Sequence, residues 1–429
     1  MGDLIDFDPT TPGVKVTLER SERGIGITVP WSDDDSPYAE WFLGEHRLKI
    51  PSSGEPAVAP SRVLFQDSHG SILLTRCWAR GFHSNMLGPG SGTLWSRAAI
   101  LGVHDNVDFD HPNGLQTEIT GLREWLGVTS WSENYDRQRG RLVATIASLE
   151  PAPIEIATVS ALKLAFRPGW RVVPEERKDR RIILDLLSCE TRSDEPIAWT
   201  EHMQAHRAIR DLLVLSRWHA ESCVEVRAMR SDDPLTTMDG ETHGEQWREV
   251  VVPNDEPTPA TTGFRQHLIT FAELGEDGVS NWLALRDEFA RALDPVVSSI
   301  GLRSTSADTV LAQTGPGLEA LGYLLMIRDG VTARAAGRAN LHTRFERILK
   351  DLGDVLPFDG LSWARNTIAA YNGLKHANRD APDPVDVLNG WRQSVMVVRA
   401  WVAIELGIPP AQLKQRLASD PQRSPFVAI

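Results

Sequence analysis

Residues 361–380 read LSWARNTIAAYNGLKHANRD, and the rest of the chain is organised around this stretch. At about 100° per residue, a helix here would bring Arg365, Asn372 and His376 within roughly 20° of one line on its surface. Arg379 would lie about 40° from Arg365 if the helix continued that far. The opposite side is apolar and predicts a stripe facing a core, made of Trp363, Ala370 and Leu374.

The residue types on the polar line suit a phosphodiester. Arginine complements the charge of phosphate, asparagine orients a group through hydrogen bonds, and histidine moves a proton near neutral pH. An ordinary solvated helix that carries a surface histidine has the same pattern. At this point the residues leave both interpretations open.

The hexapeptide YNGLKH, residues 371–376, resembles the signature of the HEPN superfamily, the small helical domains of many prokaryotic ribonucleases. That signature is an arginine, a polar residue that is often asparagine, three or more variable residues, and a histidine. Asn372 and His376 match the polar residue and the histidine. Tyr371 departs from the signature because it occupies the place of the arginine, and the nearest upstream arginine is Arg365.

The longer phrase AYNGLKHANRD resembles the variant found in ApeA-like HEPN proteins, which are bacterial anti-phage abortive-infection factors. The phrase TGLREWLGVTSW, residues 120–131, is similar to an element of their long N-terminal domain. The resemblance implies a metal-independent endoribonuclease that works as a homodimer through its C-terminal bundle. It also implies RNA as the substrate, with tRNA as one candidate, and an N-terminal region that senses a phage-derived trigger.

The resemblance further implies a role for each residue of the motif. His376 is the expected general acid and base for attack by the ribose 2′-OH. Asn372 is the expected orienting group, and Arg365, or in its place Arg379, is expected to stabilise charge on the phosphoryl oxygens. The expected RNA-binding residues are Lys375, Arg379 and Tyr371. The alternative is a catalytically inactive HEPN module that binds a nucleotide, RNA or a partner protein as a sensor or scaffold.

Net charge differs between the two ends of the chain. The 429 residues carry −13, but residues 301–429 contain 15 basic and 12 acidic residues, a net charge of +3. Residues 1–300 therefore carry −16. Residues 328–379, around the motif, carry +4, which is compatible with RNA, although solvated basic helices have the same excess.

Apolar spacing predicts an α+β multidomain chain. Short alternating segments, beginning with VKVTL at 14–18, recur about every ten residues and predict a β-rich, sandwich-like region over residues 1–200. Helical spacing followed by a hairpin predicts a mixed segment over 201–300, in which residues 253–262 have the composition of a linker. Residues 301–429 predict an all-helical, HEPN-type domain, with a bundle of four or five helices over residues 301–407.

Several classes of function are excluded or disfavoured by the composition. Three widely separated cysteines without a CxxC pair exclude a cysteine-rich zinc site and favour a reducing compartment. The segment HDNVDFDH, residues 104–111, is interpreted as a turn and a strand rather than a metal site, and no metal or cofactor is expected. The acidic start MGDLIDFDPT is not a signal peptide, and no run approaches about 18 apolar residues. We therefore expect a cytoplasmic protein without membrane association.

Overall fold

Strands fill the N-terminal part of the chain and helices fill the C-terminal part. The computed structural model describes residues 1–33, 36–43, 58–85, 89–138, 141–149, 151–174, 181–253, 266–302, 305–425 and 427. The strands in these ranges are β1 Gly2–Ile5, β2 Val14–Ser21, β3 Gly24–Trp31, β4 Arg62–Asp67, β5 Gly70–Thr75, β6 Trp78–His83, β7 Gly90–Ser96, β8 Ala98–Leu101, β9 Gly114–Ile119, β10 Trp131–Gln138, β11 Arg141–Ser148, β12 Ile154–Val159, β13 Leu162–Pro174, β14 Arg181–Arg192, β15 Cys223–Met229, β16 Leu235–Thr236, β17 Thr242–Gly244 and β18 Trp247–Val251.

Helices occur singly among the strands and then follow one another to the end of the chain. They are α1 Pro37–Leu43, α2 Leu122–Leu126, α3 Trp199–Arg217, α4 Phe271–Glu288, α5 Ala290–Ser298, α6 Ala307–Arg328, α7 Ala333–Arg338, α8 Leu341–Leu352, α9 Gly360–Lys375, α10 Pro384–Glu405 and α11 Pro410–Ser419. The predicted α+β class, with a β-rich N-terminal region and a helical C-terminal region, is confirmed.

Fourteen of the strands are joined by hydrogen bonds into one sheet. The order is β12-β13-β14-β9-β15-β18-β8-β5-β4-β1-β2-β3-β7-β6, and the neighbouring strands are antiparallel. Helix α3 lies against β9 and β14, and α4 lies against β12, so helices cover this end of the sheet. The spacing of the strands predicted this large β-rich region, in which fourteen of the described strands are connected edge to edge.

The alternation that predicted the strands matches which side chains are buried. In β13, Leu162, Leu164 and Phe166 are buried while Lys163 between them is exposed. Such alternation arises because successive side chains of a strand point to opposite faces. Residues 1–12 were interpreted as an extended or loose acidic start, and within them the short strand β1 pairs with both β2 and β4.

One apolar core connects the sheet to the helices. It extends from Ile119 on β9 through Leu212 on α3 and Trp282 on α4 to Trp401 on α10 and Leu417 on α11. The core is therefore continuous across residues 200 and 300, where domain boundaries were expected. Those domain boundaries remain predictions. Most of the linker predicted at 253–262 lies outside the described residues.

Helix α10 is buried on all sides in its second half. Every residue from 394 to 403 is buried, including Arg399 and Trp401. In the sequence, the long apolar face of residues 384–406 exceeds what one small bundle must bury, and it was therefore expected to support a homodimer. That expectation was wrong about this surface, because α5, α6, α8 and α9 pack on the helix and Arg399 contacts α3 within the same chain. The homodimer itself remains a prediction, now without that support.

Candidate functional site

Helix α9 is anchored at its N-terminus and along its apolar face. Asp359 is the N-cap, and its carboxylate accepts a hydrogen bond from the backbone N–H of Ser362 at 2.8 Å. Trp363 is buried, stacks on Phe345 with ring centroids 4.9 Å apart, and donates its indole N–H to Ser394 Oγ at 3.2 Å. These contacts fix the rotation of α9 and turn the opposite side of the helix outward.

The helix ends earlier than the sequence predicted. Lys375 is its last residue, and His376 has an extended backbone with φ −123° and ψ 104°. The N–H of His376 still donates to the carbonyl of Asn372 at 3.1 Å, and the N–H of Arg379 donates to the carbonyl of His376 at 3.0 Å. His376 and Arg379 are therefore in a turn after the helix, so the predicted helical position of His376 was wrong, and the helix does not continue to Arg379.

The chain leaves the helix early because the following segment folds back onto it. A Cβ atom on Gly373 would lie 3.0 Å from both the carbonyl oxygen of Asp380 and Cδ of Pro382. Only a residue without a side chain gives this close approach at no steric cost. Asp383 then caps α10 by accepting from the N–H of Val385 at 2.7 Å. The result is a short exposed loop that presents His376 beside Arg379.

The predicted catalytic residues are all accessible but are not all close together. His376 and Arg365 are exposed, and Asn372 is half-buried. Arg365 donates to Ser362 Oγ at 3.3 Å within its own turn of the helix. At about 1.5 Å per residue, Arg365 lies roughly 15 Å along the axis from the end of the helix beside His376. Within one chain, Arg379 is therefore the arginine nearer to His376 along the backbone.

Tyr371, which occupies the place of the motif arginine, packs inward. Its side chain is 6% exposed and belongs to an apolar cluster with Leu311, Ala370 and Val387. Burial raises the pKa of the Tyr371 hydroxyl, and both the charge of Glu319 and a hydrogen bond to it act in the same direction. Little of the side chain is therefore left to stack on a base, as the expected RNA-binding role of Tyr371 requires.

Glu319 on α6 is the functional neighbour that sequence reasoning missed. Its carboxylate lies 3.3 Å from Nζ of Lys375 and 3.6 Å from a guanidinium nitrogen of Arg344. The Lys375 ammonium also lies 5.3 Å from the centre of the Tyr371 ring. Glu319 is more than fifty residues upstream of the motif, and no local pattern connects the two. The carboxylate opposes part of the positive charge expected around the motif.

Several other basic residues near the motif are also neutralised. Arg328 pairs with Glu405 at 2.7 Å, and Arg347 pairs with Asp329 and Asp351, each at 2.6 Å. In the part of the chain that the structure describes, four arginines of residues 328–379 form no ion pair. They are Arg334, Arg338, Arg365 and Arg379. The charge available to a phosphate is therefore smaller than the sequence count.

The segment at 104–111 forms hydrogen bonds and ion pairs within the protein. His104 contacts Ser71 Oγ at 3.1 Å, and Asp108 contacts His111 at 2.9 Å and Arg62 at 3.1 Å. Asp110 lies 3.4 Å from Arg76, and burial is the main reason that its pKa is raised. Across the described ranges, no group of three or more His, Cys, Asp or Glu side chains is arranged to hold a metal ion.

Two histidines of α3 form a buried hydrogen-bonded chain with the sheet. His202 Nε2 faces the carbonyl of Pro112 at 3.2 Å, which makes this nitrogen the donor. His202 Nδ1 then accepts from Thr191 at 2.8 Å, Thr191 accepts from His206 Nε2 at 2.9 Å, and Thr117 donates to His206 Nδ1 at 2.7 Å. Burial lowers the pKa of His202 to about 4 and that of His206 to about 3.

A cleft of about 1400 Å³ lies away from the motif, between α3, α4 and α5. In its wall, the buried carboxylate of Asp211 contacts Arg210 at 2.6 Å and Arg286 at 3.0 Å. Arg286 also pairs with Asp294. These charged groups in the wall of the cleft are therefore paired with one another.

None of the helices among the described residues combines the length and apolar character needed to cross a bilayer. Exposed large apolar side chains are scattered over several strands and loops, and Leu361 of α9 is one more.

Comparison with known proteins identifies the N-terminal region. Residues 15–282 match the ApeA N-terminal domain 1 family, a match that covers more than half of the chain and includes α3 and most of α4. The chain belongs to this family. It is an ApeA-like protein, and the membership supports a role in anti-phage defence. No curated protein and no solved structure matches the chain.

Proposed function

We propose that the chain is an anti-phage abortive-infection protein whose C-terminal helical region is a HEPN-type, metal-independent endoribonuclease. The observation that supports this most directly is the exposed turn after α9, which presents His376 and Arg379 next to Asn372. An imidazole and a guanidinium in an accessible turn, with an amide on the last turn of the helix before it, suit the cleavage of an RNA phosphodiester. The ApeA membership of residues 15–282 supports the biological role.

The reaction proposed is an internal transfer within RNA. His376 removes the proton from a ribose 2′-OH, the 2′-oxygen forms a bond to the adjacent phosphorus, and the bond from phosphorus to the 5′-oxygen breaks. The leaving 5′-oxygen takes up a proton, so the products are a 2′,3′-cyclic phosphate and a 5′-hydroxyl. Arg379 stabilises negative charge on the phosphoryl oxygens, and Asn372 orients the phosphate. The need for a 2′-OH restricts the substrate to RNA.

The proposal includes the partners expected from the resemblance. Two copies would associate through their C-terminal bundles, and the N-terminal region would respond to a phage-derived trigger in the cytoplasm. Restraint by the N-terminal region has a physical basis, since α3 contributes to the same core as α10. Lys375 would add to RNA binding only when its pairing with Glu319 loosens.

A cleavage assay tests the proposal. Purified protein is incubated with total RNA in the presence of a chelator, and the new ends are mapped. We expect cyclic-phosphate ends from the wild type and a loss of about 10²–10⁴ in rate for His376→Ala. Folding should be nearly unchanged, because surface substitutions usually alter stability by less than about 0.5 kcal/mol. Equal cleavage by the wild type and His376→Ala would refute the assignment.

A second candidate is a non-catalytic module that binds RNA, a nucleotide or a partner protein. The exposed position of Arg365, far along the helix from His376, favours it, as does the inward packing of Tyr371 in the place of the motif arginine. Fluorescence anisotropy with a labelled RNA hairpin distinguishes the candidates. Binding without cleavage, weakened by Arg379→Ala but not by His376→Ala, would support the second candidate over the first.

A further inference from the structure

We propose that helix α7 is a second RNA-contact surface, on which Arg334 and Arg338 bind the phosphate backbone outside the turn that holds His376. The ligand is an RNA of many nucleotides, because the same strand must reach both the turn after α9 and α7. The inference rests on the proposed function, since it takes RNA as the substrate of the motif. It is tested by binding alone, in a background that carries His376→Ala, so the two proposals can fail separately.

Helix α7 is exposed and basic. Of its six residues only Ala336 is buried, and the side chains of Arg334 and Arg338 are exposed. Residues 331–344 contain three arginines and no aspartate or glutamate. In the part of the chain that the structure describes, neither Arg334 nor Arg338 forms an ion pair. Both guanidinium groups are therefore available to an anionic ligand that approaches from solvent.

The positions of these arginines do not favour the helix itself. Residues four apart lie on the same face of a helix, so the like charges of Arg334 and Arg338 repel each other. Arg334 also lies in the first turn, two residues after the N-cap Thr332, where the helix dipole disfavours a cation. Arg338 lies at the opposite end, where the dipole favours it. Phosphate groups bound along this face would compensate both the repulsion and the unfavourable position of Arg334.

A chain of contacts holds α7 beside the motif. Arg344 of α8 donates from Nη2 to two carbonyls in the last turn of α7, at 3.2 and 3.3 Å. Nη1 of the same guanidinium lies 3.6 Å from one carboxylate oxygen of Glu319. The other oxygen of Glu319 lies 3.3 Å from Nζ of Lys375, the residue before His376. The end of α7 and the end of α9 are therefore linked through the side chains of Arg344 and Glu319.

Close packing fixes α7 and α8 on this part of the bundle. A Cβ on Gly322 of α6 would lie 2.5 Å from Cβ of Arg344, so the glycine lets α8 approach α6 closely. Thr332 and Asn340 cap α7 and α8 through hydrogen bonds of 3.3 and 2.9 Å from backbone N–H groups. A surface that is held in place beside the motif can position an RNA backbone there.

The acidic residues next to α7 are engaged by other cations. Asp329, which precedes the helix, pairs with Arg347 at 2.6 Å. Glu346, which follows it, lies 3.4 Å from His342. Glu319 contacts the two cations described above. These carboxylates do not contact the guanidinium groups of α7, so the local charge that faces a ligand is positive.

The side chains of α7 indicate which part of the RNA is bound. Apart from the two arginines, the helix consists of three alanines and one glycine. It therefore offers no aromatic ring on which a base could stack and no side-chain amide that could read a base edge. The planar guanidinium matches phosphate oxygens, and contacts to phosphates carry no sequence information. We therefore expect α7 to bind the RNA backbone irrespective of its sequence.

The test uses the full-length chain with His376→Ala, which leaves the RNA intact, and every further variant is made in this background. Two labelled RNA hairpins of unrelated sequence are titrated by fluorescence anisotropy at a series of salt concentrations. Arg334→Ala combined with Arg338→Ala should weaken binding of both hairpins about 10-fold, because two phosphate contacts are lost. The slope of log affinity against log salt concentration should become shallower by about 1.4–1.8, which is about 0.7–0.9 for each contact.

Two further variants separate charge from structure. Arg334→Lys combined with Arg338→Lys keeps both charges, and it should lose less than about 3-fold in affinity, since lysine binds phosphate as a point charge. The matched control is Arg207→Ala, which removes an exposed arginine from α3 and should bind like its parent. Alanine favours a helix, so the double alanine variant should keep α7 folded.

The proposal is overturned if the double alanine variant binds as tightly as Arg207→Ala or keeps the salt dependence of its parent. Equal losses in the alanine and lysine variants would also overturn it, since charge would then not be the cause. Absence of RNA binding by the full-length chain would overturn both this inference and an RNA substrate. Binding that the α7 variants weaken, in a protein whose wild type cleaves no RNA, would support this inference and refute the nuclease.

Discussion

The guanidinium of Arg399 donates a hydrogen bond from Nε to the carbonyl oxygen of Leu215, and the two atoms are 2.7 Å apart. Nη2 also reaches the carbonyl of Ser216 at 3.2 Å, and Nη1 pairs with Asp420 at 2.8 Å. Both carbonyls belong to the last turn of α3, where a helix leaves its C=O groups without intrahelical partners. One buried side chain of α10 thus caps a helix of the ApeA domain and holds the C-terminal segment.

The first prediction concerns this side chain. Replacing Arg399 with methionine keeps much of its volume but leaves the carboxylate of Asp420, which is 6% exposed, without its cation. Breaking a buried pair from one side typically costs about 3–5 kcal/mol. We expect a decrease of that size in the free energy of unfolding, measured by urea denaturation. Arg365→Met, at an exposed site, is the control and should change stability by less than about 0.5 kcal/mol.

A double variant separates the causes of that loss. If the unpaired Asp420 carboxylate is the main cost, Arg399→Met combined with Asp420→Asn should recover part of the stability. If the double variant is as unstable as Arg399→Met alone, the loss comes from the uncapped carbonyls of α3. A single Arg399→Met variant with wild-type stability would contradict the structural role assigned here.

The second prediction is a loss of stability in mild acid. Burial lowers the pKa of His202, His206 and His267 in the folded protein, to about 4, 3 and 4. Unfolded histidine has a pKa near 6.5, so below that pH the unfolded chain binds protons that the folded chain does not, and stability falls as the pH falls. From pH 7.5 to 5.8, each histidine should cost about 1 kcal/mol.

This loss is measured as the free energy of unfolding at a series of pH values above the sequence pI of about 5.4. His206→Gln should lower stability at pH 7.5, because it disturbs the chain of hydrogen bonds with Thr117 and Thr191, and should also make the pH dependence shallower. A pH dependence as steep in His206→Gln as in the wild type would show that His206 is not held neutral by the fold.

The third prediction uses two glycines in helices. A Cβ on Gly315 of α6 would overlap the buried ring of Tyr371, whereas a Cβ on Gly337 of α7 would meet nothing within 4 Å. In a helix, alanine is more stable than glycine by about 1 kcal/mol. Gly337→Ala should therefore stabilise the protein by up to that amount. Gly315→Ala should destabilise it by about 1–3 kcal/mol, since overpacking displaces the ring. Thermal unfolding of the pair measures the difference, and equal shifts would contradict this packing.

Much of the fold follows from local spacing, because the burial of one face of a strand or helix leaves a direct imprint on the sequence. The hairpin expected in the mixed segment 201–300 is present as β15 paired with β18. The helices expected within residues 301–429 include α6 and α8. Strand β1 has only four residues, and its place between β2 and β4 depends on partners far along the chain, so local spacing did not predict it.

The site was predicted less well because its decisive contacts are not local. Glu319 meets Lys375 only because α6 packs on α9, and α9 ends at Lys375 because residues 380–382 return over Gly373. The apolar face of α10 is covered by elements from both halves of the chain, including α3, which helical periodicity alone does not identify. Periodicity predicts which face is buried but not which segment covers it.

The fourth prediction concerns the arginine that assists His376. The sequence favoured Arg365, but in one chain Arg365 lies roughly 15 Å along α9 from the turn that holds His376 and Arg379. We therefore expect Arg379→Ala to lower the rate of RNA cleavage by about 10²–10³, as removal of a charge-stabilising donor does. Arg379→Lys should restore little, because an ammonium does not reproduce the planar fork of a guanidinium. Arg365→Ala should change the rate less than about 3-fold, and neither arginine is buried, so both variants should unfold like the wild type.

The reverse result, with Arg365→Ala as inactive as His376→Ala and Arg379→Ala unaffected, would contradict a site built within one chain. It would instead require Arg365 from a second copy, which mixing the inactive Arg365→Ala and His376→Ala proteins would test by recovery of activity.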